Sequence, residues 1–149
     1  MIRRSLVLAC ALAAISSQSA ISNDKCSNAV TTNETAKCSV RDADVSEKDL
    51  KQTYQGLHSN LIKAEREYRS SFPDQPSLNL SVNLARAQKD WDNYRHQSCQ
   101  LEYQLVLMGN PNRGNYPALA ESACRVNMAR KRSAELKSLA AAHDIQARP

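Results

Sequence analysis

The sequence predicts an all-α protein: an antiparallel bundle of about three main helices, preceded by a short one and stapled by two disulfides. Three observations carry that expectation. Apolar residues recur at three- and four-residue steps over two long stretches, with polar residues between them. Gly is scarce, at three in 149 residues, too few for the many tight turns of an all-β chain. Ala, Leu, Glu, Lys, Arg and Gln dominate, and all are strong helix formers.

Residues 1–20 read as a signal peptide. Arg3 and Arg4 form a positive start, Ser5 to Ile15 is an apolar run, and Ser16-Ser17-Gln18-Ser19-Ala20 is small and polar enough for cleavage. Cuts after Ser19, Ala20 or Ser22 all fit this pattern. The run is too short to span a bilayer in the mature protein, so a periplasmic or secreted address is expected. Cys10 is a poor lipid-attachment site, because almost no apolar run precedes it. Cleavage removes Arg3 and Arg4 but no acid, so the net charge of +5 falls to +3. That excess is far from a nucleic-acid footprint, although it is compatible with anionic wall polymers or lipid headgroups.

Cleavage also removes Cys10 and leaves an even set: Cys26, Cys38, Cys99 and Cys124. In an exported chain such a set reads as two disulfides. About 129 residues remain, enough for one domain but not for two independent cores. A single helical domain is expected at 32–143, behind an extended segment at 21–31 and ahead of a frayed tail at 144–149.

In chain order, a short helix capped by Thr32 or Asn33 is expected to run to about Val40, and the charged stretch Arg41 to Asp44 reads as a connection. Ser46, with Asp49 three residues later, resembles a capping pair opening a long helix to about Tyr68. Leu50, Tyr54, Leu57, Leu61, Ala64 and Tyr68 lie along one face of it. Gly56 weakens its middle, unless it serves the close approach of a neighbouring helix. Two prolines in Ser70-Ser71-Phe72-Pro73-Asp74-Gln75-Pro76-Ser77 then break the chain.

A second long helix is predicted from about Asn79 to Met108. Leu80, Leu84, Ala87, Trp91, Tyr94, Leu101 and Leu105 form its expected core stripe, with Gln88, Trp91, Arg95 and Cys99 along the neighbouring edge. The polar run Gly109 to Asn115 stops it. Pro117 suits the first turn of a last helix reaching about His143, with Cys124, Met128, Leu136 and Leu139 on its buried side. Cys99 lies ten residues before Gly109 and Cys124 nine after Asn115, so both sit roughly 14–15 Å from the loop at matching heights. Of the three possible connectivities this favours Cys99–Cys124 with Cys26–Cys38.

No catalytic or metal-binding constellation emerges, so neither an enzyme nor a cofactor is expected. His58, His96 and His143 are scattered, and no zinc-protease, phosphate-loop or nucleophile-elbow pattern occurs. Glu65, Glu67 and Glu102 sit among Lys and Arg on helix faces and read as solvated charge. Tyr54, Trp91 and Tyr94 read as core aromatics, and Arg95, one step from the apolar face, as a clamp onto a carboxylate or a helix end. The connection after the second long helix is the candidate working surface. It carries Asn110, Asn112, Arg113, Asn115 and Tyr116 on a stem that a Cys99–Cys124 bridge would hold rigid.

The spacing Ala87-Gln88-x-x-Trp91-x-x-Tyr94-Arg95-x-x-x-Cys99 resembles the central signature of the LprI-type lysozyme-inhibitor-like family of small exported bacterial proteins. The likeness extends over much of residues 26–136. Cys26 and Cys38 resemble the family's N-terminal cysteine pair, and Leu50, Tyr54, Leu57 and Leu61 its first long helix. Cys124, Met128, Arg132, Glu135 and Leu136 resemble its closing segment. Ser46-Glu47 stands where Ala-Asp is usual, Lys51 where Asn is frequent, and His96 where Asp is common. Gly109-Asn110-Pro111 replaces Gly-Gly-Ser.

The resemblance implies a structural role for Leu50, Tyr54, Gln88, Trp91, Tyr94, Arg95 and Arg132. It also implies lysozyme or another cell-wall hydrolase as partner, blocked at its active-site cleft. The alternative is a non-inhibitory periplasmic module that binds envelope polymers or a partner protein. Host lysozymes are usually strongly basic, so net charge supplies no attraction, and a local contact such as Arg113 on an active-site carboxylate would have to do so.

Overall fold

The computed structural model describes residues 29, 31–109 and 114–145. Three helices account for most of them: α1, Thr32–Ser71; α2, Leu80–Gly109; and α3, Tyr116–Ala142. No strand occurs among the described residues. Glu47 and Glu65 of α1 meet Arg95 and Ser81 of α2, so these helices run antiparallel. Glu47 and Asp49 meet Arg125 and Ser133 of α3, which therefore runs alongside α1 in the same direction. The chain reverses between α1 and α2 at 72–79 and again between α2 and α3.

The expected short first helix and its connection at Arg41–Asp44 do not form separate elements, because α1 is continuous through them. No Gly or Pro stands between Thr31 and Gly56, so nothing in the backbone chemistry stops the helix. Packing draws it onward, since Ala43 and Ser46 are both buried. The cap lies one residue earlier than expected. Thr31 Oγ1 accepts from Glu34 N–H at 3.2 Å, and Glu34 Oε2 accepts from Thr31 N–H at 3.0 Å, a complete capping box. At the other end Phe72 N–H closes onto Tyr68 before Pro73 ends the run.

The core gathers Leu50, Leu57 and Leu61 from α1, Leu84 from α2, and Ala129 and Leu136 from α3. Tyr54, Trp91, Ala140 and Ile145 pack against it. Small and hydroxyl side chains fill the rest of the interface: Ala43, Ser46, Ser81, Ser122 and Ser133 are buried as well. A buried hydroxyl needs a partner. Ser133 donates to Asp49 at 2.6 Å and lies 3.1 Å from the Thr53 hydroxyl. Ser81 donates from both its backbone N–H (2.9 Å) and its hydroxyl (2.7 Å) to the Glu65 carboxylate. Glu65 thereby caps the first turn of α2 from across the bundle, placing negative charge where the helix dipole is positive.

Helix α2 is rotated relative to expectation. Of the predicted stripe only Leu84 is buried and Trp91 is half-buried, while Leu80, Ala87, Tyr94, Leu101 and Leu105 face outward. The inward line is Ser81, Leu84, Gln88 and Cys99, close to the edge beside that stripe. The bond to Cys124 and the polar partners of Gln88 and Arg95 fix this rotation, against the larger apolar stripe. On α3, Leu136 is buried and Cys124 and Met128 are half-buried, but Leu139 is exposed rather than buried.

Gly56 does not serve helix contact. It is exposed, and a Cβ built there meets nothing within 4 Å. Gly56→Ala is therefore expected to stabilise the protein by about 0.5–1 kcal/mol, through the lower backbone entropy of the unfolded chain. A thermal melt would show a rise of a few degrees; a fall would mean that the glycine has a role its surroundings do not reveal.

Candidate functional site

The α2–α3 hairpin is joined by Cys99–Cys124, with Cα atoms 5.4 Å apart, at the height the loop spacing implies. Met128 Sδ lies 3.7 Å from Cys99 Sγ and 3.8 Å from Cys124 Sγ, so a polarizable side chain covers the bridge. Beyond the bridge, Gly114 takes φ +56°, a left-handed conformation that suits glycine. Asn115 caps α3 without a side-chain hydrogen bond, and Pro117 is buried in the first turn. Tyr116, between them, is exposed. Asn110, Asn112 and Arg113 lie outside the described residues, so of the five candidate contact residues only Asn115 and Tyr116 are placed. Cys26 also lies outside them, and with it the expected Cys26–Cys38 pair.

A knot of charge lies below the bridge. Glu47 on α1 accepts from Arg125 Nε and Nη2, both at 2.9 Å, and pairs with Arg95 of α2. Arg125 also reaches Asp44 at 3.3 Å. One carboxylate thus ties all three helices together, using two guanidiniums in the forked geometry that suits them. The Arg125 hydrogen bonds, helped by the charge of Arg95, hold the Glu47 carboxyl below the usual carboxylate range. Glu47 in turn pushes Arg125 up. Further along α1, the Asp49 carboxyl is held down by the Ser133 hydroxyl first and Lys137 second. Of the clamps expected for Arg95, the carboxylate is the one realised.

A second network runs through Trp91. The Arg95 and Arg132 guanidinium carbons lie 5.6 and 6.0 Å from its ring centroid, both within cation–π range. Arg132 Nε donates to Gln88 Oε1 at 3.3 Å, and its Nη1 pairs with Glu135 at 3.2 Å. Gln88, Trp91, Arg95 and Arg132 therefore form one connected clamp between α2 and α3, joined to α1 through Glu47. Leu50 is core and Tyr54 packs against it. Tyr94 belongs to neither group and points to solvent, against the core reading. Sequence reasoning missed Glu47 as the centre of the charge knot. Its only signal was an acid one helical turn from Leu50, on a helix facing two arginines.

Among the described residues no group of three or more His, Cys, Asp or Glu could hold a metal ion, and no helix is long and apolar enough to cross a membrane. An open apolar groove of about 650 Å³ lies at the end opposite the disulfide, lined by Leu57, Leu61, Leu80, Leu84, Leu139 and Ile145 among others. Its polar members, Asn83, Arg132, Glu135 and His143, include an ion pair already satisfied.

A family model described as lysozyme inhibitor LprI matches residues 22–136. The chain belongs to the LprI family. The match takes in all of α1 and α2 and most of α3, and so includes both the charge knot and the clamp around Trp91. No curated protein and no solved structure matches the chain. In this LprI-family protein Gln88, Trp91, Arg95 and Cys99 of the signature hold helices together, whereas Tyr94 is exposed.

Proposed function

We propose that this protein is an exported inhibitor of a muramidase, acting by insertion of its α2–α3 hairpin end into the enzyme's cleft. Membership of the lysozyme inhibitor family is the observation that carries this reading. The stem favours it too: the Cys99–Cys124 bridge restrains both arms of the hairpin, so little ordering entropy would be lost on insertion. Tyr116 offers an exposed aromatic anchor there, and Arg113 in the adjoining loop a cation. A muramidase cleft contains catalytic carboxylates, one of which must stay ionised, and a guanidinium held against it would exclude substrate. The N-terminal signal-like segment would bring the protein to the periplasm or the medium, where such enzymes act.

Purified exported protein should inhibit muramidase, less strongly as salt rises. The double change Arg113→Ala, Tyr116→Ala should keep the helical circular-dichroism spectrum and raise the inhibition constant at least tenfold, about 1.4 kcal/mol. Unchanged inhibition would move the contact to the exposed α2 face around Lys89, Asp92 and His96. If the unaltered protein inhibits no lysozyme type, the better reading is an envelope-binding module. Exposed Arg130 and Lys131 on α3 would then be first in line to meet anionic polymers.

A further inference from the structure

The outward stripe of α2 is more regular than a chance scatter of surface apolar residues. Leu80, Leu84, Ala87, Trp91, Tyr94, Ser98, Leu101, Leu105 and Met108 follow one another at strict steps of four and three. That 3.5-residue period is the mark of a helix with a partner helix along its length, and it persists over four heptads. Within the bundle most of it has no partner. Leu80 is 41 % exposed, Tyr94 63 %, Leu101 54 %, Leu105 49 % and Met108 78 %. A comparable heptad line on α1, through Leu50, Leu57 and Leu61, is buried.

We propose that the open seam of α2 is a homodimer interface, covered by α2 of a second copy running antiparallel. Three features select that occupant. The seam is self-complementary. With Trp91 set opposite Tyr94 of the second copy, Leu80 meets Leu105 and Ala87 meets Ser98, so bulky and small layers match, while Leu101 lies over the apolar groove that the buried Leu84 lines. A parallel pair would instead stack Trp91 on Trp91 and Tyr94 on Tyr94, with a gap at Ser98. The outer flank is also nearly neutral. Asn83, Asp90, Gln97 and Gln104 line it, and the antiparallel setting puts Asp90 beside Gln97, so no like charges oppose. A strongly cationic partner would find only that single acid along the flank.

Once residues 1–20 are removed as a signal, the remaining ends offer no better cover, because residues 21–28 and 146–149 are mostly polar. The strip is roughly 42 Å long and about 10 Å wide, on the order of 400 Å² per copy in projection. Two such strips fall below the roughly 1,200 Å² at which stable interfaces begin, among transient encounters, which sets a weak, micromolar dimer as the expectation. This inference goes beyond the inhibitory reading and does not rest on it.

Sedimentation equilibrium of the exported protein tests it. From about 1 to about 200 μM, the weight-average mass should climb from one chain toward two, as for a micromolar dimer. Leu101→Glu with Leu105→Glu, both exposed and so neutral for folding, should hold the protein monomeric throughout with an unchanged helical spectrum. Val45→Glu with Phe72→Glu, exposed apolar positions off the seam, should dimerise like the unaltered chain. A monomer at every concentration would overturn the proposal. So would undiminished association of the Leu101/Leu105 variant, or an equal loss in the Val45/Phe72 variant, which would mark the association as non-specific.

Discussion

Leu136→Ala is expected to cost about 3–4 kcal/mol, and more than Trp91→Ala, although tryptophan is much the larger side chain. Leu136 is one of the two largest fully buried side chains, at 2 % exposure, and belongs to the cluster that joins α3 to Leu50, Leu57 and Leu61 of α1 and Leu84 of α2. Truncation removes its transfer free energy and leaves a cavity that rigid neighbouring helices fill only in part. Trp91 is half-buried, so its removal opens to solvent and creates little cavity. It forfeits partial burial and two guanidinium contacts, together about 2 kcal/mol. Urea unfolding of both variants measures the order directly. If Trp91→Ala proved the costlier change, the tryptophan would have to be the keystone of the bundle, with Leu136 peripheral.

The sequence reads Trp91 and Tyr94 as core aromatics, and the reason the bundle leaves them half-buried and exposed lies in how helices choose a face. A periodicity reading weighs large apolar side chains, and on α2 these point it to Trp91, Tyr94, Leu101 and Leu105. The bundle instead buries the line Ser81, Leu84, Gln88 and Cys99, because a covalent bond and several polar contacts hold that edge inward. Small residues carry much of the interface, and Ala43, Ser122, Ala129 and Ser133 have no hydrophobic signal strong enough to mark them. The breaks after the two long predicted helices were legible, since Pro73, Pro76, Gly114 and Pro117 act through local sterics alone. So was the inner stripe of α1, where Leu50, Leu57 and Leu61 have no competing face. The joining of residues 32–40 to the rest of α1 was not legible. A charged run reads as a connection until one sees Ala43 buried within it and Asp44 meeting an arginine on α3. For the candidate contact surface, sequence chemistry pointed to the hairpin end. The open seam on the adjoining helix depends on a rotation that only the folded bundle reveals.

Glu47→Gln should destabilise the protein by about 2 kcal/mol at neutral pH, and the loss should vanish in acid. Removing one member of a buried ion pair typically costs about 3–5 kcal/mol, because the remaining charge is stranded. Here Glu47, Arg95 and Arg125 each keep about a quarter of their side-chain surface, so solvent screens part of that penalty. The pH dependence follows from proton linkage. The folded-state carboxyl of Glu47 lies below its ordinary value of 4.5, chiefly through the Arg125 hydrogen bonds. Near and below that ordinary value the unfolded chain binds more protons than the folded one. Stability is therefore full above about pH 5 and drains away as pH falls through the folded pKa. An amide at this position cannot take part in that exchange. Stability curves for the two proteins should lie about 2 kcal/mol apart at pH 7 and converge as pH falls through the folded-state pKa of Glu47. Asp49 and Glu65, also held low by their partners, keep some acid sensitivity in the variant. Denaturant midpoints at half-unit pH steps supply the measurement. A constant offset between the curves would mean that Glu47 acts through packing, and that the Arg95–Glu47–Arg125 contact adds no net electrostatic stability.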